Sequence, residues 1–272
     1  MANKSLTTVQ LLESINNLNK DKIKTKIVPI VADEDTTHAD FYSIDKKWHK
    51  FKDIVVVFVD LEKSTNLHKQ IGNDEGLARV YNIAMGSVVR IFENFNARFI
   101  DIQGDGGFAI FWGPDRYREA LVAAITVRTM NETMMSLITE TYSNVNSGGF
   151  KIGIASGGAL VKYVGLSKRL AVTETGKSEG WQEPIWSGDP VNFAAKAAQE
   201  SKPNHILITN SVMQHIQNID ELVRTCSCSS RVQVWTGHTI QKILGKESQG
   251  FINEKKWCIT HGEEYADRIL RK

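Results

Sequence analysis

Two short segments limit how this chain can fold. Val55-Val56-Val57-Phe58-Val59-Asp60 is an apolar run closed by a carboxylate. Gly104-Asp105-Gly106-Gly107-Phe108-Ala109-Ile110-Phe111 sets a second carboxylate in a glycine-rich turn before another apolar run. Unbroken β-branched and aromatic residues read as a buried strand, and the Gly-Asp-Gly-Gly turn between Phe99–Gln103 and Phe108–Trp112 reads as a hairpin. Asp60 at a strand end beside Asp105 on that hairpin makes a hard oxygen site for a divalent cation, the ligand chemistry of two-metal phosphoryl transfer. Taken singly, each aspartate is also an ordinary turn residue.

The pattern around these segments alternates between strand and helix. A helix is predicted over Asp74–Asn94, with Leu77, Tyr81, Ala84, Val88, Ile91 and Phe95 on one face. A second helix is predicted over Tyr117–Thr141, then a strand over Phe150–Ser156. The resulting order, βαββαβ, predicts an α+β fold with a ferredoxin-like core, a mostly antiparallel sheet and both helices on one face. Residues 1–50 read as an N-terminal arm preceding a domain of residues 51–272. In the arm, Leu11, Ile15 and Leu18 recur at helical spacing from a start near Ser5; this helix is expected to pack on its own domain. Gly165–Glu183 reads as a long polar hairpin or loop, and Val232–Trp235 and Lys256–Ile259 as strands that complete the sheet.

Composition excludes several classes. The 272 residues carry a net charge of +2 with no long basic block, which gives no nucleic-acid footprint. The strongly apolar stretch Ile54–Val59 is far too short to span a bilayer, and Met1-Ala2-Asn3-Lys4-Ser5 leads into a polar helix unlike a signal peptide. The expectation is a cytoplasmic protein with no membrane partner. The odd set of Cys226, Cys228 and Cys258 fits reduced thiols; joining them to His238 for zinc matches no structural zinc spacing.

The stretch Trp186-Ser187-Gly188-Asp189-Pro190-Val191-Asn192-Phe193-Ala194-Ala195-Lys196-Ala197 reads as a helix capped by Asp189, with Pro190 at its first position. Asn192 and Lys196 then share a face. An amide above an ammonium at a helix start suits a phosphate or ribose oxygen, and a solvated lysine beside an internally bonded asparagine is equally compatible with the spacing.

Four blocks together resemble the class III nucleotidyl cyclases, the family of adenylate and guanylate cyclase catalytic domains. They are Phe58-Val59-Asp60-Leu61-Glu62-Lys63-Ser64-Thr65, Gly104-Asp105-Gly106-Gly107-Phe108-Ala109, Gly153-Ile154-Ala155-Ser156-Gly157-Gly158, and Gly188-Asp189-Pro190-Val191-Asn192-Phe193-Ala194-Ala195-Lys196. The resemblance covers roughly residues 52–215 in the family's order. It implies that Asp60 and Asp105, with the Leu61 carbonyl, hold two Mg²⁺ or Mn²⁺ ions. It implies too that the Phe58–Thr65 block, including Ser64 and Thr65, meets the substrate, with amides of residues 61–65 cradling phosphates. Asn192 would orient the ribose. Lys196 stands where the family usually has an arginine for the α-phosphate, a point charge in place of a planar fork. The resemblance further implies a head-to-tail homodimer, metal residues from one subunit and Asn192 and Lys196 from the other. A basic residue of the C-terminal region, Lys242 or Lys246, is a candidate for the triphosphate.

The base-selecting positions that the resemblance points to hold Asp101 and Ile185. A carboxylate offers acceptors and isoleucine nothing polar, which disfavours ATP. GTP, CTP and UTP each present a donor to Asp101. The stand-alone architecture is most similar to the bacterial pyrimidine cyclases of anti-phage defence, whose cyclic UMP or cyclic CMP is read by a separate effector. Trp181 and Trp186 could fill the space a purine would need. The expectation is a pyrimidine nucleotidyl cyclase, UTP ahead of CTP. The alternatives are a guanylate cyclase and a catalytically silent nucleotide-binding module.

Overall fold

The apolar run around Val56 becomes the middle of the sheet. The computed structural model describes residues 7–37, 40–41, 47–146, 148–166, 181–226, 228 and 230–271. The run lies in β2 (His49–Leu61), which pairs antiparallel with β4 (Gly106–Phe111) on one side and β5 (Phe150–Leu166) on the other. β3 (Phe99–Gln103) closes the hairpin onto β4. With α3 (Asp74–Asn94) and α4 (Arg116–Thr141) these strands give the predicted βαββαβ core, in the spatial order β3-β4-β2-β5. The sheet continues from β5 through β7 (Ile206–Thr209) and β9 (Gln249–Asn253) to β8 (Thr236–Thr239), with β6 (Trp181–Ser187) also beside β5. Most pairings are antiparallel; β5 with β7 is parallel.

Alternation along the strands separates two cores. Val55, Val57, Val59, Ile152 and Ile154 are buried under α3 and α4, which share one face as expected. Ile54, Val56, Ile110 and Ala155 face the other way, toward α5 (Asp189–Glu200), Ala32 and Phe41. Gly153 makes that second contact close. A Cβ there would lie 2.2 Å from both the Ala194 carbonyl oxygen and the Ala198 nitrogen, so α5 rests directly on the strand backbone.

Several expectations shift. The N-terminal helix α1 (Thr8–Lys24) forms, capped by Thr7 in a capping box with Gln10 and not at Ser5. Among the described residues its stripe is not packed on the domain: Leu11, Ile15 and Leu18 are all exposed. The later part of residues 1–50 belongs to the sheet and core instead. β1 (Ile30–Val31) pairs in parallel with His49 and Lys50, Phe41 is buried, and the Trp112 indole N–H donates to the Thr36 carbonyl at 2.9 Å. α5 is capped by Gly188, which moves Asp189 to its first position and Pro190 to its second. In the polar stretch 165–183 the two ends pair as β5 and β6, and residues 167–180 lie outside the described residues.

The two C-terminal strands fall elsewhere. In Val232–Trp235 only Gln233 bridges a neighbour, Arg224, and the strand starts at Thr236. Lys256–Ile259 forms no strand because Trp257 is drawn onto α4, its amide donating to Thr129 Oγ1 at 2.9 Å and its indole to Thr126 Oγ1 at 2.8 Å. Among the described residues no helix is long and apolar enough to cross a membrane.

Candidate active site

The β2 end and the β3–β4 turn meet as the sequence anticipates. Asp60 is paired with Gly106 across β2 and β4, so the turn residue Asp105 lies directly beside it. Gly104 opens the two-residue loop at φ +65°, the sign a type II′ hairpin turn needs at its first loop position. The Leu61 amide donates to the Asp105 carbonyl at 3.1 Å, tying the turn to the strand. Both aspartates are half-buried. The buried Ser64, in a 3₁₀ turn at Ser64–Asn66, donates its hydroxyl to Asp105 Oδ2.

Two further side chains, one in contact and one through its charge environment, are tied to these carboxylates without having been anticipated. Lys151, opposite Asp60 on β5, places its ammonium 3.1 Å from Asp60 Oδ2. Tyr81 of α3 has its phenol pushed above the usual range, first by burial and then by the Asp105 carboxylate. Lys151 follows from strand register, which a sequence does not print. Lys242, by contrast, donates to Gln199 Oε1 at 2.9 Å, and its amide to Glu200.

The donor set suits a hard divalent cation. Asp60, Asp105 and the Leu61 carbonyl offer oxygen alone, and Gly106 keeps the space beside them clear: a Cβ there would stand 3.6 Å from Asp60 Oδ1 and 2.9 Å from the Val59 carbonyl. The phosphate-cradling amides expected at residues 61–65 are partly engaged, because the Glu62 amide donates to the Gly149 carbonyl at 3.0 Å and that of Leu61 to Asp105. Thr65 is exposed.

Behind Asp60 a row crosses the sheet. Asp101 pairs with Phe108, Phe108 with Phe58 and Phe58 with Gly153; residues opposite one another share a face. Phe58 and Phe108 stack with ring centroids 6.3 Å apart and planes 10° from parallel. Asp101 is half-buried and accepts from Gln103 Nε2 at 3.1 Å. Asp60, Phe58 and Asp101 therefore line one strip of the α5-side face.

The remaining candidates lie on α5 and β6. Asn192 is exposed on α5, and Lys196 holds its ammonium 5.8 Å from the Phe193 ring centroid. Among the described residues neither bonds to Asp60 or Asp105. Ile185, 47% exposed, pairs with Lys162, eleven positions along β5 from Lys151, roughly 35 Å at about 3.3 Å per residue. Trp186 is absorbed into packing against Phe41, Phe51, Phe99 and Trp112; the Trp181 side chain lies outside the described residues.

Comparison with known proteins matches residues 47–244 to the family described as adenylate and guanylate cyclase catalytic domain. The chain is similar to a uridylate cyclase of Micromonospora echinofusca, 37% identical over 229 residues, covering 83% of this chain and 72% of that one. It is also similar to a uridylate cyclase of Propioniciclava tarda, 32% identical over 226 residues, covering 82% and 70%. In fold it is similar to the guanylyl cyclase Cya2, with a TM-score of 0.56 at 18% identity over 75% of this chain and 91% of that one. The adenylyl cyclase CyaB of P. aeruginosa gives a TM-score of 0.56 at 18% identity over 77% and 97%.

Proposed function

The chain belongs to the adenylate and guanylate cyclase catalytic-domain family and is a nucleotidyl cyclase, and we propose that its substrate is UTP, converted to 3′,5′-cyclic UMP and pyrophosphate. The observation that carries this reading is one juxtaposition: Asp60, Asp105 and Ser64 at the end of β2, with the Asp101–Phe108–Phe58 row behind them on the same side. The names of the two relatives support uracil as the base.

Asp60, Asp105 and the Leu61 carbonyl would hold the Mg²⁺ or Mn²⁺ ions. Two such ions, when bound, lower the pKa of the ribose 3′-hydroxyl and balance the triphosphate charge. Ser64 holds Asp105 in orientation. The Lys151 ammonium, already against Asp60, is placed to take a phosphate oxygen in its stead. Phe58 and Phe108 supply an apolar floor, and the Asp101 carboxylate accepts from uracil N3–H. Attack of the 3′-oxygen on the α-phosphorus forms the ring and expels pyrophosphate.

Asn192 and Lys196 serve the second half of the site. Within one chain, among the described residues, neither is bonded to Asp60 or Asp105 and Asn192 is exposed, which fits a homodimer in which α5 of one protomer reaches the metal-binding end of its partner. Ile185 would meet a base only in the same way. The product would be read by a separate effector in anti-phage defence, a role supported by resemblance to stand-alone pyrimidine cyclases and placed in the cytoplasm with the substrate. Purified protein given Mn²⁺ and each of the four nucleoside triphosphates is expected to yield cyclic UMP as its main product. Cyclic GMP as the main product would transfer the assignment to a guanylate cyclase, cyclic CMP would change the base, and no cyclic product would leave a binding module.

A further inference from the structure

We propose that Cys226, Cys228, Cys258 and His261 form a structural zinc site, separate from the Asp60–Asp105 site, that clamps the C-terminal helix to the loop at residues 225–234. The four side chains bring one ligand atom each to within 4.8 Å of one another. Cys226 Sγ lies 2.6 Å from Cys228 Sγ, Cys228 Sγ 3.4 Å from Cys258 Sγ, and Cys258 Sγ 3.9 Å from His261 Nδ1. Ligand atoms about 2.0–2.3 Å from a tetrahedral Zn²⁺ stand roughly 3.5–3.8 Å apart; the Cys228–Cys258 and Cys258–His261 separations are near that span, and Cys226 and Cys228 would open by about 1 Å to take the ion. Three sulfurs and one imidazole make a closed Cys₃His set, the composition of structural zinc and not of a hard-cation site.

The surroundings hold these ligands in place. Cys226 and Cys228 lie in a turn closed by the Thr225 amide on the Val232 carbonyl at 3.0 Å and by Thr225 Oγ1 on the Ser230 carbonyl at 2.7 Å. Cys258 and His261 precede α8 (Gly262–Leu270), whose first turn is bonded back to both: the Gly262 amide to Cys258 at 2.8 Å and the Tyr265 amide to His261 at 3.0 Å. Three thiolates with one Zn²⁺ leave a charge of −1. The Lys255 ammonium, fixed by the Glu221 and Arg224 carbonyls, lines the same recess as Cys226, Cys228 and Cys258.

The clamp has mechanical work to do. α8 has nine residues, too few to be stable by itself, and its burial rests on Tyr265, Ile269 and the Arg118 bond to the Ile269 carbonyl. Zinc binding would release the three thiol protons to solvent and add its binding energy to folding. The spacing Cys-x-Cys, then Cys-Ile-Thr-His, hides this site in the sequence. The two halves lie far apart, and His261, not His238, is the fourth ligand; His238 lies on β8.

Elemental mass spectrometry of the full chain, purified without chelator, is expected to find one zinc per protein. Exchange for Co²⁺ is expected to give the intense visible bands and sulfur charge-transfer band of tetrahedral thiolate coordination. Cys258→Ser and His261→Ala should each weaken zinc binding by about tenfold or more, while His238→Ala retains it. Chelation should raise hydrogen exchange across residues 256–271 and leave Val55–Val59 protected. Zinc-free protein with three freely reactive thiols, or with a Cys226–Cys228 disulfide in the intact mass, would overturn the proposal. So would a Co²⁺ spectrum without thiolate bands, a readout that needs no variant to fold.

Discussion

On one face of the sheet Val55, Val57, Val59, Ile152 and Ile154 are buried beneath α3 and α4. On the other, Phe58, Asp60 and Asp101 stay half-buried beside α5. The same strands build both faces from alternate residues. The first face is closed within one chain and supplies apolar burial at roughly 25 cal/mol per Å². The second is covered in part, by α5 resting on Gly153 opposite Phe58 and by Phe41. The lesson is one of division: an interior sealed on one side supports carboxylates on the other, and the less covered strip is where the proposed substrate and second subunit would fit.

The largest effect that would break this division is chemical. Asp60→Asn or Asp105→Asn is expected to cut turnover by about 10³-fold or more while the melting temperature stays close to that of the parent. Val57→Ala, one strand position from Phe58 but on the sealed face, should instead cost about 2–4 kcal/mol of stability, read by denaturant unfolding. A stable but inactive Val57→Ala, or an unfolded Asp60→Asn, would erase the distinction between the faces.

Smaller changes sharpen it. Gly153→Ala drives a methyl into the α5 backbone and is expected to cost about 1–3 kcal/mol, seen as a melting temperature several degrees lower. Asp101→Ala should lower kcat/KM for UTP by about 10- to 100-fold and relax the choice among triphosphates, measured as the product ratio from an equimolar mixture. Lys151→Ala is expected to raise the KM for triphosphate by about tenfold with Asp60 left in place. Removing residues 7–24 should move the melting temperature by less than about 1 °C, since the described side chains of α1 are all exposed.

Much of this was legible in the residues. β-Branched and aromatic runs located β2, β3 and β4, and the helical period of Leu77 through Phe95 located α3, whose ends agree with the expectation. Glycine placement located the turn that carries Asp105. Local signals failed where packing decides. Trp257 makes its segment lie across α4 instead of pairing as a strand, and the stripe of Leu11, Ile15 and Leu18 has the period of a packed helix yet is exposed among the described residues. Lys151 beside Asp60 and His261 beside three cysteines are products of register and tertiary closure; each is an unremarkable letter until the strands and loops are set side by side.

The central claim is that the less covered strip becomes a working site only when a second protomer's α5 completes it. Asp60→Asn and Asn192→Ala are each expected to be nearly inactive with UTP, since either removes half of both sites. Co-expressed, half of the dimers would be mixed, and each mixed dimer would hold one intact and one doubly impaired site. Cyclic UMP formation by the co-expressed pair is the measurement: recovery to about a quarter of the wild-type rate is the result expected. A mixture no more active than either parent would contradict the shared site.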